Sequence, residues 1–145
     1  SLAATRRSAT TLGDEFALIA DYLAVLKVRM DDRLEVRVDL PAELAGARIP
    51  PMIVQPVVEN AIRHGLEPKV EGGMIELRAY REEGRLIVEV GDTGVGFADA
   101  TTGGVGLANV RERLRLTHGD AARLTVRGNA PAGTVVAIEL PLPAP

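Results

Sequence analysis

The sequence predicts an α+β domain built as a two-layer α/β sandwich: a mixed sheet of about five strands covered on one face by three helices. Three observations predict it. Apolar residues recur at helical spacing in three stretches and alternate at strand spacing in five others. The elements run α-β-α-ββ-α-ββ, and consecutive paired strands suit one helical layer on a mixed sheet better than strict βαβ alternation. The chain has 145 residues, 46% apolar and 26% charged, so folding hides about 68–70% of the unfolded surface in a single core.

The elements follow in order. Residues 1–10 (SLAATRRSAT) are small, polar and unpatterned, a lead-in or the remnant of an upstream dimerisation region. The chain opens on Ser1, as an excised piece of a longer protein would. Leu12, Phe16, Ile19, Leu23, Leu26 and Met30 fall at alternating gaps of four and three and predict a helix with one buried stripe. Thr11 followed by Asp14 has the form of a capping box. Asp31-Asp32 ends this helix, and Leu34, Val36 and Val38 alternate as a strand.

Pro50-Pro51 then opens a second helix, in which Pro56 should produce a kink or a restart. The best helical stretch is Val57 to His64, with Gly65 placed as a left-handed C-cap. Met74–Tyr80 and Arg85–Gly91 read as a hairpin turned at Glu82-Glu83-Gly84. A glycine-studded loop (91–106) leads to a third helix from about Val105 to Leu116. Ala122–Arg127 and Thr134–Leu140 read as a last hairpin, and the tail PLPAP is expected not to extend a sheet. The expected domain is 11–141, with 142–145 as a C-terminal tail.

Composition excludes several functions. Net charge is −3, against a basic nucleic-acid footprint. Cysteine is absent, which removes disulfides and thiolate chemistry. No apolar run reaches the length of a membrane span, so direct membrane contact is not expected. No phosphate-binding G-x-x-x-x-G-K-[ST] loop occurs, and Ser1 and Ser8 are the only serines.

Three segments carry candidate chemistry. In Val57–Gly65, Asn60, Arg63 and His64 share one helix face, an amide, a guanidinium and an imidazole at i, i+3 and i+4. An amide oxygen is a hard ligand suited to Mg²⁺; taken alone, this face reads equally as solvated helix. In Val88–Phe97 a strand ends on Asp92, followed by Gly94 and Gly96, so a carboxylate stands where backbone can approach a flat ligand. A buried Asp accepts from an exocyclic amine such as that of adenine, whereas an Asx-turn is the plainer alternative. In Gly103–Leu114 glycines run into a helix start, a place for an anion or simply a cap and loop. Gly133-Thr134 adds a hydroxyl or is only a hairpin turn.

In this order, the segments resemble the nucleotide-binding domain of the GHKL superfamily, which unites sensor histidine kinases, type II topoisomerase ATPases, Hsp90-type chaperones and MutL-type repair proteins. Glu59-Asn60-Ala61-Ile62-Arg63-His64-Gly65 resembles its N box, Asp92-Thr93-Gly94-Val95-Gly96 its G1 box, and Gly104-Val105-Gly106-Leu107 its G2 box. Ile49–Ala61, Gly104–Leu114 and the opening Leu12–Phe16 with Tyr22-Leu23 look like the LytS/YehU type of sensor kinase, whose pattern includes Pro56.

The resemblance implies the Bergerat fold and the cofactors ATP and Mg²⁺. It implies that Asn60 ligates Mg²⁺, that Arg63 and His64 approach the phosphates, and that Asp92 binds the adenine amine. Gly94, Gly96, Gly104, Gly106, Leu107 and Thr134 would surround the nucleotide, and Glu59 would polarise an attacking group. Seven residues separate Gly96 from Gly104, so a short, mobile lid is expected. The implied partners are a dimerisation domain bearing the phosphoacceptor His and a response regulator, in a cytoplasmic portion of a homodimeric parent kinase. That family's P-H-F-x-x-N phosphoacceptor sequence is not in this chain, and His118 reads as a helix C-terminal residue. Two alternatives are an anti-sigma-factor-type serine kinase and a nucleotide-binding interaction module without kinase activity. The upstream Pro-Pro and Gln-Pro pairs weigh against the first, and the intact Asn60, Asp92 and glycines against the second.

Overall fold

A computed structural model describes residues 9–96 and 104–142. The chain forms a short strand β1 (Thr10–Thr11), helix α1 (Leu12–Met30), β2 (Leu34–Asp39), β3 (Arg48–Ile49), and helix α2 (Gln55–Asn60), which continues as a π-helix (Ala61–Leu66). Then follow β4 (Gly73–Glu82), β5 (Arg85–Asp92), α3 (Gly104–His118), β6 (Arg123–Gly128) and β7 (Thr134–Pro141). The main sheet runs β2-β4-β5-β7-β6. The β2–β4 pair is parallel and the others are antiparallel, as expected for a mixed sheet.

All three helices pack on one face. The α1 stripe buries all six of its expected residues against α2 and the sheet. Thr11 caps α1 by accepting from the Asp14 N–H at 3.1 Å. From the sheet, Ile75, Leu77, Ala79, Val88, Val90, Val136 and Ile138 enter the core, and from α3, Leu107, Val110 and Leu114. Among the described residues, no helix covers the opposite face. There Glu89 meets Arg78, Arg127 and the Tyr80 hydroxyl, and Glu139 meets Arg85 and Arg123. Ile87, Val135 and Ala137 on this face are buried as well.

Four local expectations are corrected. Pro50-Pro51 does not open α2: Met52 stands at φ +60, outside helical geometry, and the helix starts at Gln55. Pro56 therefore lies in the first turn, where its missing N–H costs nothing, and no kink or restart is required. Gly65 is not a left-handed cap, because the chain stays helical through Leu66. Pro141 extends β7 by one residue, opposite Arg85 at the strand's end. Paired structure runs from Thr10, opposite Ile49, to Leu142, whose N–H donates to the Gly84 carbonyl at 3.0 Å.

Candidate nucleotide site

Asp92 is the last residue of β5 and points to the helical side of the sheet, with 3% of its surface exposed. Its Oδ1 accepts from the Gly94 N–H at 2.8 Å, and the Thr134 backbone N–H also bonds the carboxylate. Burial is the largest influence and raises its pKa above the ordinary carboxylate value; the two N–H groups and the Lys69 ammonium oppose it incompletely. A carboxylate held in this way, with no ion pair to it among the described residues, can accept from a ligand's N–H.

The register builds a floor around this group. Ile75, Asp92, Thr134 and Gly128 lie in one row across β4, β5, β7 and β6, with Val90, Val136 and Val126 in the next. A groove of about 530 Å³ opens beside it, between Val95-Gly96 and the β6–β7 hairpin, with Val126 and Thr134 in its lining. Asn129 holds the hairpin against β5, donating from Nδ2 to the Asp92 carbonyl at 2.9 Å. Gly133 is needed there: its φ is +103, and a Cβ would stand 1.9 Å from that same carbonyl oxygen.

The second part of the site is α2, interlocked with the loop after β5. A Cβ on Gly65 would lie 2.8 Å from Asp92 Oδ1, and one on Gly94 would lie 2.0 Å from the Gly65 carbonyl oxygen. The Val95 N–H donates to that oxygen at 2.9 Å. Gly65 and Gly94 thus allow direct contact between helix and loop, while Gly96, at φ +77, is needed for its backbone conformation. The π-helical turn carries this contact; the Glu67 N–H reaches back five residues to the Ile62 carbonyl at 2.8 Å. Below it, Lys69 Nζ donates to the Thr93 carbonyl at 2.9 Å.

Asn60 ends the α-helical part of α2, five residues before Gly65. It is buried, and its Oδ1 faces α3, where a Cβ on Gly106 would approach to 3.7 Å. Arg63 and His64 are exposed on the next turn. Glu59 is half-buried and accepts from Gln55 Nε2 at 3.2 Å; its charge helps raise the pKa of Tyr22 on α1, after burial as the main cause. Leu107 lies in the core beneath the site. Gly104 starts α3, and the expected lid, 97–103, lies outside the described residues.

Asn60, Gly65, Asp92, Gly94, Gly106 and Thr134 are therefore assembled around one region. Sequence reasoning missed Glu15, Lys69 and Asn129, named Gly133 only with Thr134 as a possible hairpin turn, and gave Gly65 a different task. For Gly133 the signal was present, since a glycine before a strand in a turn-rich run marks a constrained backbone.

A family model described as histidine kinase-, DNA gyrase B-, and HSP90-like ATPase matches residues 48–144. The chain belongs to this family. It is 30% identical over 141 residues to the sensor histidine kinase YesM of Bacillus subtilis, a match covering 94% of this chain and 24% of YesM. It is 29% identical over 154 residues to the sensor protein LytS of Staphylococcus haemolyticus, covering 97% of this chain and 26% of LytS. The chain thus spans about a quarter of the length of these relatives. The histidine kinase domain of the Erythrobacter litoralis EL346 blue-light activated histidine kinase superposes with a TM-score of 0.66 at 25% identity, covering 91% of this chain and 61% of that one. The chain is a nucleotide-binding ATPase domain of the sensor histidine kinase type, with the two-layer GHKL sandwich that its sequence resembles. Among the described residues, no helix is long and apolar enough to cross a membrane.

Proposed function

We propose that this chain holds Mg·ATP for phosphoryl transfer to a histidine on a dimerisation domain outside these residues, for relay to an aspartate of a response regulator. The observation that supports this reading is that Gly65, on the helix that carries the buried amide of Asn60, packs directly against the buried carboxylate of Asp92. Asp92 accepts from the adenine amine. Thr134 and Gly96 line the groove beside it, where the base lies in this reading. Asn60 holds the magnesium ion; Arg63 and His64 meet phosphate oxygens, and Gly106 leaves room beside the amide.

The donor set fits that metal. A single hard amide oxygen suits a cation that keeps several waters and shares phosphate oxygens. Among the described residues no three His, Asp or Glu side chains cluster as a dedicated metal cage. The ion supplies charge neutralisation at the phosphates. In the transfer, the bond from the β–γ bridging oxygen to the γ-phosphorus breaks as a bond forms from an imidazole nitrogen; ADP leaves, and the imidazole proton passes to a base. Glu59, held by Gln55, polarises the attacking imidazole in this reading. The rest of the catalysis is positioning and electrostatics.

In this reading the domain lies on the cytoplasmic side of a homodimeric parent kinase. The test is incubation with [γ-³²P]ATP and Mg²⁺. The chain should bind nucleotide yet remain unlabelled, while a separate polypeptide bearing the dimerisation domain and its histidine becomes labelled. Stoichiometric label on this chain overturns the proposal.

A further inference from the structure

Glu15 lies on the first turn of α1, only 2% exposed, in a helix whose other buried positions are apolar. Its carboxylate reaches the segment that leads into α2. Oε1 accepts from the Met52 N–H at 2.8 Å, and Oε2 accepts from Val54 and Gln55 at 2.6 and 3.2 Å. These are orphan donors at a helix start that has no side-chain cap of its own. Met52 has φ +60, so this turn is held in a conformation that its own residue disfavours. Five residues beyond Gln55 stands Asn60.

We infer that Glu15 is a positioning residue for the magnesium end of the site. Its carboxylate fixes where α2 begins, and so where the Asn60 amide stands relative to the sheet-borne Asp92. The inference rests on the reading of Asn60 as the magnesium ligand. Among the described residues, the other polar link from α1 to this region is weaker. Arg29 pairs with Glu67 at 2.7 Å, but both side chains are substantially exposed, and such pairs contribute little. Glu15 is different because it is buried and accepts from three backbone donors, so removing its charge leaves N–H groups without an acceptor.

The device is specific to one end of the ligand. Asp92 is held by β5, Gly94 and Thr134, none of which touches Glu15. Losing the Glu15 charge should therefore weaken the magnesium-dependent part of binding and spare the adenine-dependent part. A carboxylate that only stabilised the fold would lower both together.

The test is calorimetric titration of the 145-residue chain with ADP, in MgCl₂ and in EDTA, for wild type, Glu15→Gln and Asn60→Ala. For folded Glu15→Gln, the affinity in EDTA should stay within about twofold, and the gain on adding magnesium should shrink by about tenfold. A full magnesium gain in Glu15→Gln, or an equal loss under both conditions, overturns the inference. If Glu15→Gln does not fold, hydrogen exchange in wild type decides. Mg·ADP should slow exchange at Met52, Val54 and Gln55 beyond ADP in EDTA, and equal rates overturn the inference. If Asn60→Ala keeps the whole gain, the reading of Asn60 fails and the inference falls with it. A gain lost in Asn60→Ala but kept in Glu15→Gln overturns the role of Glu15 alone.

Discussion

Gly65→Ala separates the two things a residue at this position can do, support the helix or support the site. Alanine is the better helix former by about 1 kcal/mol, and Gly65 has no left-handed φ for a side chain to oppose. Its Cβ would nevertheless stand 2.8 Å from Asp92 Oδ1, 3.1 Å from Cγ and 3.3 Å from Oδ2. Restoring contact distance moves the carboxylate by about 0.5 Å or more. Overpacking of this kind costs about 1–3 kcal/mol, so after the helical gain the fold loses about 0–2 kcal/mol. At about 4 °C per kcal/mol, Tm falls by no more than about 8 °C. Nucleotide binding should suffer more, because a hydrogen bond to a charged acceptor contributes about 1.5–3 kcal/mol, or about ten- to 150-fold in Kd. Calorimetry with Mg·ADP and a thermal melt measure both quantities. Gly46→Ala is the control, since nothing lies within 4 Å of its Cβ position. Wild-type affinity in folded Gly65→Ala would refute the placement of Asp92 against this helix.

Further outcomes are expected. Asp92 has a raised folded-state pKa, so the native chain binds this proton more tightly than the unfolded chain. Its contribution to stability therefore falls as pH rises from the ordinary carboxylate range through the raised value, and the full cost is present above it. Asp92→Asn should leave Tm unchanged or higher without nucleotide at neutral pH and abolish most nucleotide affinity; a large fall in Tm contradicts this. Asn60→Ala should weaken binding about tenfold in magnesium and little in EDTA, by titration. Leu114→Ala, deep under α3, should cost about 2–5 kcal/mol in urea unfolding, whereas Arg29→Ala should cost less than about 1 kcal/mol.

What could be read from sequence was what depends on local pattern. The α1 stripe from Leu12 to Met30 was legible because its spacing repeats every three or four residues, and all six apolar residues are buried. The turn at Glu82-Glu83-Gly84 was legible from its glycine between two alternating stretches, and Glu83 and Gly84 adopt the positive φ that a two-residue hairpin requires. Asn60 stood out through the helix face it shares with Arg63 and His64, and Asp92 through the glycines that follow it. Glu15 did not, because a carboxylate near a helix start reads as a dipole partner, and its acceptors' partners lie 37–40 residues away. Gly65 looked like a cap for the same reason: its necessity comes from Asp92, on a strand that sequence spacing does not relate to it. The start of α2 was misjudged because Pro50-Pro51 is a strong local signal, overridden by a tertiary contact from α1.

Relaxation enhancement by Mn²⁺·ADP, which replaces magnesium with a paramagnetic ion, tests the convergence most directly. The side-chain amide of Asn60 should broaden first as Mn²⁺ is added. The Gly94 amide, bonded to the Asp92 carboxylate, should shift on adding ADP alone and broaden less. Broadening centred away from α2, or an ADP shift that bypasses Gly94, would show that the two groups do not grip opposite ends of one nucleotide.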